Sequence, residues 1–132
     1  MDIARGRVLV PLTGHPEPER VMEAACSMAD DRACVVAVVV IEISPLLPLD
    51  ARMDEEEIHA RALLSRARVV GDRHGLRVIP RVIRARDAGS AILDVARQER
   101  SELLVLGARR HHLRGMAKHV LRKAPCRVLV VS

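Results

Sequence analysis

SELLVLGARRHHLRGMAKHVLRKAPCRVLVVS, residues Ser101–Ser132, is the stretch whose reading decides the fold. It holds two short apolar runs, Leu103–Leu106 and Val128–Val131, separated by a basic loop that starts at Gly107 and by a helix-length segment. Two β-rich runs joined by a helix predict a right-handed βαβ unit, because parallel neighbours need a crossover of this length. The loop leaving the first run, Gly107–Arg114, is where such a unit presents ligand-binding groups.

Upstream, the same alternation repeats. Arg7–Leu12 reads as a first strand, and Pro16 and Pro18 then suit a helix start, where a missing amide donor costs nothing. Val21, Ala25 and Met28 recur at helical spacing. Ala33–Ile41 is β-branched and continuously apolar, as expected of a central parallel strand covered on both faces. A proline-punctuated loop, Ser44–Asp50, leads into a helix predicted from about Met53 to Arg73. Acids crowd its first turns and arginines its end, the favourable sense for the helix dipole, and Gly75 is its expected stop. Pro80 removes a ladder donor from the run Leu76–Ile83 and places it at a sheet edge. Ala88–Ala96 opens a third helix with Ser90 as its expected cap. Five strands alternating with four helices predict an open α/β sheet, Rossmann-like, with helices on both faces. In the order 3-2-1-4-5, the winding reverses between the first and fourth strands. Thr13, Gly14 and His15 would then share a crevice with Gly107, Arg109, Arg110, Arg114 and Gly115.

Composition narrows the function. At 132 residues the chain is expected to be one domain, residues 1–132, and its longest apolar run, nine residues, is too short to span a membrane. The N-terminus lacks the apolar core of a signal peptide, so a cytoplasmic location is expected. Cys26, Cys34 and Cys126 read as small buried hydrophobes in a reducing compartment. The absence of Phe, Tyr and Trp weakens every reading that needs base stacking, and no specific nucleic-acid partner is expected. The net charge of +5 favours anionic small molecules, although arginine outnumbers lysine twenty to two along the whole chain, as a solvated surface would show. His111, His112 and His119 make a poor metal set, since adjacent helical histidines point apart and no carboxylate or cysteine lies close, and no metal site is expected. No nucleophile elbow or Walker loop occurs, so catalysis is not expected.

The whole pattern resembles the universal stress protein family. The resemblance runs through Val8–Leu12 with Thr-Gly-His-Pro-Glu after it, Gly89–Asp94, Ser101–Gly107 and, most specifically, Val120-Leu-Arg-Lys-Ala-Pro-Cys-Arg-Val-Leu-Val-Val131. It implies the adenine nucleotide alpha hydrolase-like fold and a homodimer joined through the last strand, Arg127, Val128, Leu129, Val130 and Val131. Family members that bind ATP carry an Asp after the first strand and, after the fourth, a glycine loop ending in Gly-Ser or Gly-Thr. Here Thr13 takes the Asp position, Arg110 stands at the second glycine, and Arg114-Gly115 replaces the final pair. The loop is about six residues short and holds no hydroxyl. The expectation is therefore a non-catalytic module that lacks conventional ATP binding, has no obligatory cofactor and acts through homodimerisation and partner contacts. Two alternatives stay open: a nucleotide (ATP or AMP) binder using the shortened arginine loop, and a cytoplasmic regulatory domain of a membrane transporter of the amino-acid permease or cation antiporter type.

Overall fold

The central strands of this chain are apolar on both sides, so they can be stable only with helices on both faces. The computed structural model, which describes residues 3–109 and 115–132, has that arrangement. Its elements run β1 (Arg7–Pro11), α1 (Pro18–Ser27), β2 (Cys34–Glu42), α2 (Asp54–Arg73), β3 (Arg77–Ala85), α3 (Ala88–Gln98), β4 (Leu103–Gly107), α4 (Met116–Lys123) and β5 (Arg127–Val131). The sheet order is β3-β2-β1-β4-β5 and every pairing is parallel.

The two-residue period of the strands divides the core in two. Val35, Ala37, Val39 and Ile41 of β2 join Val8 and Val10 of β1 and Leu103 and Val105 of β4 under α1 and α2. Val36 and Val38 of β2, Leu9 of β1 and Leu104 and Leu106 of β4 face α3 and α4. The continuous apolar run of β2 is thus two interleaved faces, each fully used.

The helix ends follow local chemistry. Pro18 occupies the first turn of α1. The chain leaves α2 through Gly75 at φ +67°, a conformation that suits glycine. α3 is capped by Asp87, whose carboxylate accepts from the Ser90 amide at 2.8 Å. That corrects the expectation for Ser90, which lies within the first turn and supplies its backbone N–H rather than its hydroxyl. The hydrogen bond from Ser90 also holds the Asp87 carboxyl below its ordinary range. Beyond α3, Arg100 adopts φ +50° without being glycine.

Both sheet edges are as the order requires. β3 pairs with β2 over nine register positions and carries Pro80 on the outside. β5 pairs only with β4, and its Val130 is left exposed.

Candidate functional site

The winding reverses at β1 and β4, and the crevice expected there is present at the carboxyl ends of these strands. It encloses about 440 Å³ and is lined by Thr13, His15, Gly107, Ala108, Arg109, Met116 and Ala117. β1 delivers Thr13 because Leu12 continues the ladder, donating its amide to the Val38 carbonyl at 2.8 Å. β4 delivers Arg109 because the Ala108 amide bonds the Val131 carbonyl at 2.8 Å, which prolongs the β4–β5 pairing by one step.

Of the residues singled out from the sequence, Thr13, His15, Gly107 and Arg109 therefore share one crevice. Gly14, at φ +95°, shapes the β1–α1 turn without lining the cavity. Gly115, at φ +56°, is the residue from which α4 starts and also lies off the wall. Arg110 and Arg114 lie outside the described residues, as do His111 and His112. His119 lies on α4 against α3, where its ring would meet any side chain placed at Gly89.

The details assign new reasons to two of these residues. The Thr13 hydroxyl donates to the His15 carbonyl at 3.0 Å and accepts weakly from the His15 amide at 3.4 Å, so it is occupied in closing its own turn. A Cβ at Gly107 would lie 2.9 Å from Pro16 Cδ and 3.3 Å from a methyl of Val21. Gly107 is thus required by the packing of the β1–α1 loop, whatever the crevice holds.

Arg109 is exposed at the rim, and among the described residues it has no ion pair and no carboxylate lines this cavity. The arrangement can hold an anion through guanidinium, imidazole and the amides at the start of α4. A second hollow of about 300 Å³ adjoins it through Thr13 and Met116. Its walls include Leu12, Val38, Val40 and Ile92, with Glu42 and His59 at the opening. Sequence reading missed this apolar compartment, because its walls are the same valines and leucines that build the core. The signal available in the sequence was that β2 stays apolar as far as Ile41, one residue short of its carboxyl end.

Among the described residues no helix is long and apolar enough to cross a membrane, and no three His, Cys, Asp or Glu side chains come together as a metal set.

Comparison with known proteins places the fold. The chain is 25% identical to a universal stress protein family member from Burkholderia pseudomallei, with a TM-score of 0.74 over 96% of each chain. It matches the universal stress protein from Archaeoglobus fulgidus in complex with dAMP at 22% identity and a TM-score of 0.79, covering 98% of this chain and 99% of that one. A universal stress protein family protein from Arabidopsis thaliana with AMP bound matches at 14% identity and a TM-score of 0.71, covering 96% and 90%. No curated protein matches by sequence. The universal stress protein family model matches residues 4–132, nearly the whole described chain, and the protein belongs to the universal stress protein family.

Proposed function

We propose that this universal stress protein domain, residues 1–132, works without turnover, as a homodimer joined along β5, and that it does not grip magnesium–ATP in the manner of a glycine-loop binder. The observation that carries this reading is the β4–α4 connection. Between Gly107 and Gly115 it offers no second glycine and no hydroxyl, and Gly107 is spoken for by Pro16. Amides cannot approach a chain of phosphates closely where arginine side chains replace glycines. The dimer reading rests on the two edges. Pro80 blunts β3, whereas β5 has no proline and presents apolar residues with Val130 exposed. The test is isothermal calorimetry with ATP and magnesium, alongside light scattering. The expected outcome is a dimeric mass and no magnesium-dependent ATP binding. Tight magnesium-dependent binding, or a monomeric mass at high micromolar concentration, would overturn the respective half.

A second reading is favoured by the pairing of the apolar hollow with the Arg109 rim. The two compartments together suit a ligand with one flat apolar end and a single anionic group, as a nucleoside monophosphate has. The relatives bound to dAMP and AMP are in keeping with that class. A thermal shift with AMP that Arg109→Ala abolishes is the expected result; no shift at millimolar AMP removes this reading.

A further inference from the structure

The connection between β2 and α2 is built unlike a surface loop. Prolines at 45 and 48 shape two successive turns, closed by Leu47 N–H to Ser44 O and Ala51 N–H to Pro48 O, each at 3.0 Å. The Ser44 hydroxyl accepts from the Leu46 amide at 3.2 Å. Two arginines from the end of β3 then tie the loop down from below. Arg86 donates to the carbonyls of Ser44 and Leu47, and Arg84 to those of Leu49 and Ala51, while Arg84 also pairs with Glu57 at 3.1 Å. What this scaffold displays is apolar: Leu46 is 93% exposed, Leu47 44% and Leu49 47%.

The surroundings of these leucines are acidic in a chain whose net charge is +5. Arg52 pairs with Asp54 and Arg84 with Glu57, but Asp50, Glu55 and Glu56 are exposed without an ion pair among the described residues. Between the two ends of the loop lies a hollow of about 370 Å³, lined by Val39, Val40 and Ile41, by Glu42, Glu55 and Glu56, and by His59. An apolar floor with a carboxylate rim takes a long basic side chain, stem down and charge outward.

We propose that Ser44–Glu56 is a docking surface for another protein, and that the occupant is an amphipathic helix whose apolar stripe is flanked by lysine or arginine. The leucines receive the stripe and the carboxylates its flanks. Ordering of the loop is already accomplished in the folded chain, which lowers the entropic cost of docking. A second copy fits poorly, because two-fold contact would set Asp50, Glu55 and Glu56 against themselves. An anionic lipid surface is repelled for the same reason. The inference extends the reading of this protein as a module acting by association, on a surface separate from β5.

The test is titration of the intact protein into two labelled synthetic helices with leucines at helical spacing, one flanked by lysines and one by glutamates. The expected result is saturable binding of the lysine helix, weakened by salt, and binding of the glutamate helix at least roughly tenfold weaker. The exposed pair Leu46→Ser/Leu49→Ser leaves the melting temperature and the mass unchanged but weakens binding by roughly tenfold or more. Glu55→Gln/Glu56→Gln removes most of the salt dependence. Equal affinity for both helices, binding of neither, or wild-type affinity in the leucine variant overturns the proposal. So does a loss of dimer mass in that variant, which would assign the leucines to a second copy. A wild-type chain that is monomeric yet binds the lysine helix supports this surface and removes only the β5 dimer.

Discussion

Gly107 shows how one residue can satisfy two explanations until its neighbours are known. In sequence it begins a phosphate-type loop; in the fold it is the space into which the Pro16 ring packs. The ring is rigid and Val21 sits behind it, so Gly107→Ala is expected to cost about 1–3 kcal/mol by overpacking, measured as a shift in urea midpoint. Cys26 carries a second prediction at this scale. Burial, helped by the Glu23 charge, pushes its thiol from 9.0 up to about 11. The neutral thiol therefore contributes stability that is fully present below pH 9 and is lost as pH rises toward about 11. Urea midpoints taken across that window should fall, and Cys26→Ala should flatten the fall. Of the three cysteines expected to be buried from their apolar neighbours, Cys26 is buried, whereas Cys34 and Cys126, at the start of β2 and just before β5, are half-buried. The reason for Gly107 was not, because Pro16 lies far away along the chain and close only in space.

Among the elements, the strands were the easiest to read, because their apolar runs had no other stable use. β2 was expected at the centre with both faces covered, and its residues alternate between the two halves of the core. Pro80 announced the β3 edge. Helix ends were harder, since capping depends on which side chain reaches which amide. Asp87 and Ser90 are three residues apart and both are good capping residues, yet only Asp87 precedes the helix in extended conformation. Asp87→Ala is expected to lower the melting temperature and Asp87→Asn to retain most of it. Because its carboxyl is held low, this stabilising charge is present above the ordinary carboxylate range and is lost as pH falls through its depressed value. At the other end of α3, Arg100→Gly removes a left-handed side chain and should raise stability by about 1 kcal/mol in the same assay. At the β5 edge, Val130→Lys should dissociate the proposed dimer in light scattering while leaving the melting curve of the fold nearly unchanged, as its side chain is exposed.

At the scale of the whole molecule, three surfaces are proposed, two at the carboxyl end of the sheet and one along its lateral edge. The crevice lies at the carboxyl ends of β1 and β4, β5 forms one lateral edge, and the leucine loop joins β2 to α2. The β5 edge can be tested apart from the other two, which are neighbours, because the apolar hollow beside the crevice and the hollow under the loop share Val40 and Glu42. Deep substitutions should not discriminate among them. Leu9→Ala, at the fully buried centre of the sheet, is expected to cost about 2–5 kcal/mol and to impair all three proposed activities together.

Residue order alone determined the alternation of strands and helices, the central place of β2, the edge place of β3 and the membership suggested by the tail Val120–Val131. These follow from hydrophobic period, turn chemistry and local motif, which act over a few residues. Only the tertiary structure decided which loops meet. It set Thr13, His15, Gly107 and Arg109 around one crevice and opened an apolar compartment beside it. It also spent Arg84 and Arg86 on the carbonyls of a loop about forty residues earlier. Those outcomes depend on packing and hydrogen bonds between segments distant in sequence, and no local pattern encodes a partner that only folding brings near.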